Sequence, residues 1–285
     1  MAQGQTVLLN QFPQLGVSKC GSQLCGLYSA EYSLNRSIKS IFAPNNSSPI
    51  AKFGEIPNIT LSYSQYLDSA GVHSASDFNE VSKIELKNRS GSAVCDLALL
   101  NRISYSFTID GPFLVTKSYI GYSKAAAGSG SSTCGGAKRV FMRKDYSGSS
   151  PPGINSTLLT AVTVDITVNR ENISEFATHK PYASMVSFPM TTSIKYDFLT
   201  EGVDSYVLDA FSQACGDPDT TKYSLSASSC GISIAVNSAF ITDLSYSGGE
   251  ASQSSKPQTG SVTFTSYETI SGLKPVIKFD EVSSC

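Results

Sequence analysis

Apolar residues recur at every second position in run after run of this chain. In NITLSYSQYL (58–67) Ile59, Leu61 and Tyr63 alternate with Thr60, Ser62 and Ser64, and in TSIKYDFL (192–199) Ile194, Tyr196 and Phe198 alternate with Ser193, Lys195 and Asp197. A period of two sets one side of an extended strand on a core and the other in solvent, as half-buried antiparallel strands require. The same pattern predicts strands at LYSAEYSLN (27–35), ISYSFTI (103–109), FLVTKSYIGY (113–122) and RVFMRKDY (139–146). Further along it predicts them at TAVTVDITVN (160–169), GISIAV (231–236), AFITDLSY (239–246), SVTFTSYE (261–268) and PVIKFDEV (275–282). Asp110-Gly111, beside Pro112, predicts a hairpin turn. One segment has helical spacing: Asp204 caps SYVLDAFSQA, Val207, Phe211 and Ala214 share a face, and Gly216 follows as a stop. SDFNEVS (76–82) is its weaker counterpart in the first half.

Part of the chain is said twice. LNRSIKSIFAPNNSSPIAKFGEIP (34–57) and VNRENISEFATHKPYASMVSFP (168–189) share Asn35-Arg36 with Asn169-Arg170 and Phe42 with Phe176, 134 residues apart. They then share Pro49 with Pro181 and Pro57 with Pro189, 132 apart. A further one-residue gap brings Leu61 onto Ile194 and Tyr63 onto Tyr196, which keeps the buried faces in phase. FLVTKSYIG (113–121) is matched with FITDLSYSG (240–248). Between the copies, SGSSPPGINST (147–157) has the composition of a linker. The expected fold is therefore mainly β: two homologous antiparallel β-sandwich or barrel domains, each with a short flanking α-helix. They are an N-terminal arm (1–26), a first β domain (27–150) and a second β domain with a C-terminal strand or arm (151–285). A further helical turn is expected after each Asn-Arg pair, through Ile173 to Phe176.

Composition narrows the function. Charged residues make up 15% of the chain, well below the roughly 25% of an average soluble protein, and Ser, Thr and Asn take their place. Such strands suit surfaces that touch other protein. The N-terminal sequence carries no basic, apolar secretory signal, and no apolar run spans a bilayer; the chain is expected to stay where it is made or to leave by lysis. The first 150 residues hold 14 Lys and Arg against 9 Asp and Glu, a net of +5, so the remainder carries −7 of the overall −2. That asymmetry suits head-to-tail contact of first domain with second. The weak net charge argues against tight nucleic-acid binding, which needs a basic stripe.

Candidate chemistry is sparse. The two His, His73 and His179, lie in no catalytic or metal-binding motif, and none of the seven cysteines has CxxC spacing. Neither a catalytic residue, a metal site nor a cofactor is expected. Gly-Ser-Gly-Ser-Ser-Thr-Cys-Gly-Gly-Ala-Lys (128–138) lacks the Gly-Lys-Ser/Thr of a phosphate loop and reads as a surface loop. The cysteines read as buried or unpaired thiols, or as disulfides formed after release to an oxidising medium. Cys215 and Cys230 are then the candidate disulfide, and Cys285 is a candidate intersubunit thiol. Arg36 and Arg170 read as ties within each domain through the planar guanidinium, or as contacts to the next subunit.

Val168-Asn169-Arg170-Glu171, Phe176, Lys180-Pro181-Tyr182-Ala183 and Phe188-Pro189 before a strand resemble a pattern of tailed-bacteriophage tail tube proteins. The first copy retains Asn35, Arg36, Phe42, Pro49, Ala51 and Pro57 but lacks the acidic residue and the Tyr. The resemblance implies a virion structural protein whose domains form stacked rings, the lumen conducting DNA without specific binding. A duplicated chain would make a trimer with pseudo-sixfold symmetry. It also implies localisation to the virion tail after assembly in the host cytoplasm. The partners implied are other copies of the chain, and a tail sheath, tape-measure and tail-terminator protein, with no membrane. The alternative is another virion part, such as a head decoration, neck or baseplate component. A carbohydrate-binding or hydrolytic sandwich is the third reading, although Trp is absent and no motif places paired carboxylates.

Overall fold

The computed structural model describes residues 5–8, 15–35, 38–42, 44, 47–54, 58–67, 75–88, 91–121, 126–128, 137–151, 153–174, 181–200, 221–229, 232–247 and 258–279. Strands dominate them. In the first half these are β1 (Gln5–Leu8), β2 (Leu15–Lys19), β3 (Ser22–Leu24), β4 (Leu27–Asn35), β5 (Ile38–Phe42), β6 (Pro49–Gly54) and β7 (Asn58–Tyr66). A five-residue helix α1 (Ala75–Asn79) leads into β8 (Val81–Asn88), β9 (Gly91–Thr108), β10 (Leu114–Gly121), β11 (Ala126–Gly128) and β12 (Ala137–Val140). The second half adds β13 (Leu159–Thr167), β14 (Arg170–Ile173), β15 (Ala183–Val186), β16 (Thr191–Thr200), β17 (Tyr223–Ser229), β18 (Ile232–Ser247), β19 (Gln258–Ser266) and β20 (Val276–Lys278).

One antiparallel sheet organises the molecule. Its strands run in the order β17-β18-β19-β16-β13-β9-β10-β7-β4, with β8, β2, β3 and β11 attached beside β9. β9 is long enough to serve two neighbourhoods: residues 91–99 pair with β8, and residues 102–108 pair with β13. β18 is built alike, pairing β17 along 232–239 and β19 along 240–247. Bulges bend these strands. Asn101 is the extra residue in β9 opposite β10, and Thr242 the extra residue in β18 opposite β19. Asp96-Leu97 face the single Lys83 of β8, and Asn237-Ser238 the single Ser224 of β17. Tyr28 is extra in β4 opposite β7, and Thr160 in β13 opposite β16.

The buried face follows the alternation. Ile59, Leu61 and Tyr63 of β7, Ile103, Tyr105 and Phe107 of β9, and Ile194, Tyr196 and Phe198 of β16 join one hydrophobic cluster spanning both halves. Phe107 meets Phe113 edge-on at 5.0 Å, and Tyr223 meets Phe264 edge-on at 5.2 Å, geometries that aromatic quadrupoles favour. Gly121 lies against Cys95, where a Cβ would come within 2.1 Å of the sulfur.

Three sequence expectations change. Where a helical turn is expected after Asn169-Arg170, Arg170–Ile173 is a strand whose backbone is satisfied by pairing with β15; residues 175–176 lie outside the described residues. RVFMRKDY is no single strand; β12 ends at Val140 and a 3-10 turn occupies Arg143–Asp145, with Asp145 accepting from the Met142 N–H at 3.0 Å. The supposed linker is in part a strand-like edge. Ser147 and Ser149 donate their N–H groups to Ser228 and Ser226 of β17, and the Ser149 hydroxyl accepts from Ser226 N at 2.7 Å. Gly148 sits so close that a Cβ would lie 2.6 Å from the Ser226 carbonyl oxygen. Backbone cannot yield cheaply there, so Gly148→Ala is expected to destabilise the protein by about 1–3 kcal/mol in thermal denaturation. The predicted helix over 205–214 lies outside the described residues, as do Arg36, Pro57, Phe176, His73 and His179.

Candidate assembly surface: a polar sheet face and two open edges

The face opposite the core is paved with hydroxyls. Directly opposite residues of neighbouring strands share a face, and here they bond in pairs: Ser33 with Thr60 at 2.6 Å, Ser64 with Thr116 at 2.7 Å and Ser245 with Ser261 at 2.8 Å, while the bulge residue Thr242 bonds Thr265 at 2.8 Å. The charges described on this face are Glu31, Asp165, Asp197 and Asp243 against Arg102 and Lys195, a net of −2. Arg102 donates from Nε and a terminal nitrogen to one oxygen of Asp165, at 3.2 and 2.9 Å, across the β9–β13 junction. Lys195 pairs with Asp197 at 3.0 Å. Arg102 is about half exposed, so Arg102→Ala should cost no more than about 1 kcal/mol in denaturant unfolding.

The β9–β13 junction joins the two halves in register: Phe107 faces Val162, Tyr105 faces Val164, Ile103 faces Ile166 and Arg102 faces Thr167. Among the described residues the same kinds of edge stand open on β4, at one end of the sheet order, and on one side of β18. β4 pairs only with β7, and among the described residues nothing pairs with the second edge of β18 along 240–247. Leu34, on the core side of β4, is 55% exposed. An open edge flanked by an exposed leucine attracts another strand.

A second contact ties the halves. β14, β15 and β20 form a three-stranded sheet. Arg170 donates to the Phe78 carbonyl oxygen of α1, and the Asn79 side chain donates to Gly272 O and accepts from Lys274 N, each at 2.8 Å. Ile277 and Phe279 pack with Val81 and Leu99. Arg170 thus ties the second half to the first. Pro181 is buried, while Asn169 and Pro189 are exposed. In the first copy Asn35 is exposed, Pro49 is half-buried, and Phe42 is a strand residue of β5. The motif residues do not converge on one spot, and FLVTKSYIG and FITDLSYSG fall in β10 and β18, which hold different places in the strand order.

Cys20 and Cys25, at the β2–β3 hairpin, are both disulfide-bonded, the second of the two readings open for the cysteines, although the candidate pair named from the sequence is Cys215 and Cys230. Alkylation without reductant should leave both unlabelled in mass spectrometry, with labelling only after reduction. Cys95 is a buried thiol, and Cys134, Cys215, Cys230 and Cys285 lie outside the described residues. Beside the junction a cavity of about 350 Å³ is lined by Phe107, Phe113, Arg143 and Tyr146 among others. Among the described residues no cluster of three or more His, Cys, Asp or Glu could hold a metal. No described helix is long and apolar enough to cross a membrane. No family model matches the chain, and no curated protein matches it.

Proposed function

We propose that this chain is a virion structural protein of the tail-tube kind, a tandem duplication that closes into rings and stacks into a DNA-conducting tube. One observation carries the reading: the molecule contains one complete copy of the seam a ring would need, and leaves the two halves of a second copy open at its ends. Duplication is supported by strand order. β4, β7, β10, β9 and β8 stand to one another as β13, β16, β19, β18 and β17 do. It is supported more sharply by the bulges, which fall at matching places: Tyr28 with Thr160, Asp96-Leu97 with Asn237-Ser238, and Asn101 with Thr242. Bulges are specific features of a strand pair, so three matches in order are hard to obtain by accident. By the same registers Ala30 corresponds to Val162 and Ile38 to Arg170. The Asn-Arg identity at 134 residues is then a coincidence of letters, displaced by two from the structural match.

If β18 meets the next chain's β4 as β9 meets β13, Leu244 faces Leu34, Ser245 faces Ser33 and Tyr246 faces Tyr32. The core then runs unbroken through the seam, and a heterologous contact repeated around an axis closes a ring without free edges. The polar face, weakly acidic and lined with hydroxyls, becomes the wall of the lumen, where DNA slides without being held. The resemblance of the sequence motifs sets the ring at three chains. Negative-stain electron microscopy of the purified protein tests the reading: hollow stacked rings with threefold or sixfold end views are expected. Discrete particles that never stack would assign the chain to another virion position.

A further inference from the structure

We infer that the β5–β6 hairpin is an arm that lies on the β17–β18 end of a second copy of this chain. This rests on the ring reading and names a second, separate contact within it. The argument starts from what the second half does to the first. β13 runs on past its pairing, Val168 donating its N–H to the carbonyl of Asn101 at the β9 bulge at 2.8 Å. The chain then enters β14–β15, whose partner strand β20 brings Ile277, with Phe279 just beyond it, onto Val81 at the start of β8 and Leu99 in the middle of β9. Val81 and Leu99 are 1% and 0% exposed there.

Among the described residues, the matching ground on the second half is less covered. Tyr223 pairs with Ala239 as Ser82 pairs with Ala98, so Lys222 and Phe240 stand where Val81 and Leu99 stand. Lys222 is exposed, Phe240 is half-exposed, and Thr242, the counterpart of Asn101, is exposed. Meanwhile β5–β6 forms a two-stranded sheet by itself. It follows β4 as β14–β15 follows β13, and its register is the same: Ile41 faces Ala51 as Ile173 faces Ala183. Two residues lie between Asn35 and Ile38, three Cα steps with a reach of about 10 Å. A β4 paired to a neighbour's β18 must therefore deliver the hairpin onto that neighbour. The occupant is a second copy because the in-chain contact already displays how the two surfaces fit.

The test is photo-crosslinking with benzoylphenylalanine introduced at Lys52, the register position of the fully buried Ser184. The control is the same probe at Ile41, the position of Ile173, which stays 43% exposed. Assembled protein should give interchain products from Lys52, mapped to peptides around 221–224 or 238–242, in several-fold higher yield than from Ile41. A companion Ser33→Cys/Ser245→Cys variant, oxidised, reports the seam alone. Interchain disulfide there with no Lys52 product, or with equal yields from both probe positions, overturns the arm and leaves the ring. Absence of both overturns the ring. Should the bulky probe itself block assembly, hydrogen exchange on the unsubstituted protein decides. Peptides 221–224 and 238–242 should be protected in assembled protein and lose protection on dissociation, and unchanged exchange overturns the arm.

Discussion

Leu34→Pro should abolish ring formation while leaving the isolated chain folded. The direction of the backbone at β4 decides this. Tyr66 donates its N–H to the carbonyl of Gly26, so Gly26 faces β7, and the bulge at Tyr28 shifts the alternation by one. Ser29, Glu31 and Ser33 then face β7, and Ala30, Tyr32 and Leu34 face the open edge. In β13 the matching alternation holds, since Val168 faces β9 and two-residue steps bring Ile166 and Val164 with it. Proline at Leu34 removes a donor that bonds nothing among the described residues, and an edge strand tolerates it on that side. In the ring it removes a ladder bond and the Leu34–Leu244 contact at every interchain seam. Ser33→Pro is the counter-experiment: it deletes a bond to β7 and should lower the stability of the single chain by about 1 kcal/mol or more. Size-exclusion chromatography and circular dichroism separate the outcomes. Rings that persist in Leu34→Pro would remove the β4 edge from the assembly.

Much of the fold was legible because one side of most strands is buried. β4, β7, β13 and β16 were read almost to the residue, since Ile59, Leu61 and Tyr63, or Ile194, Tyr196 and Phe198, repeat with period two. The long strands were not. In β9 Ala98, Leu99 and Leu100 are all buried, because the strand passes between two hydrophobic clusters and carries a bulge at Asn101, so its alternation breaks down. β18 looked like two strands for the same reason, with Asn237-Ser238 bulged and Ser238 at a φ of 49°. Ser147–Ser149 has a linker's composition, yet its backbone completes an edge of β17, a property of N–H and C=O groups that composition does not carry. Of the repeat read from the letters, the 132-residue spacing of Pro49 and Pro181 and the match of Tyr63 with Tyr196 agree with the strand registers, while Asn35-Arg36 with Asn169-Arg170 lies two residues away from them. Strand register follows buried faces and bulges, and pairs such as Ala30 with Val162 or Ile38 with Arg170 share no letter.

Raising the pH from 9 to 11 should unfold the protein steeply. Burial holds the Tyr63 phenol up at about 12, with the Tyr119 hydroxyl pulling it down and the Asp77 charge pushing it up. Burial likewise holds Tyr196 at about 12 against the hydrogen bond from Ser149. Tyr119 and Tyr146 are raised too, chiefly by burial. A phenol whose folded value lies above the unfolded value of 10 contributes stability that is whole below pH 10 and is lost as pH climbs toward 12. At pH 11 the loss is about 1.4 kcal/mol for each of Tyr63 and Tyr196. That is a large share of the margin that holds a domain folded. The part of the phenolate absorbance that Tyr63→Phe and Tyr196→Phe remove should therefore rise together with the loss of circular dichroism, since these rings ionise only as the core opens. Tyr196→Phe keeps the ring, gives up the Ser149 contact and should flatten the alkaline limb of the melting-temperature profile. Because Tyr63 and Tyr196 hold matching places in β7 and β16, Tyr63→Phe should flatten it similarly. A melting temperature that stays level through pH 11 would mean that neither phenol is sealed from water.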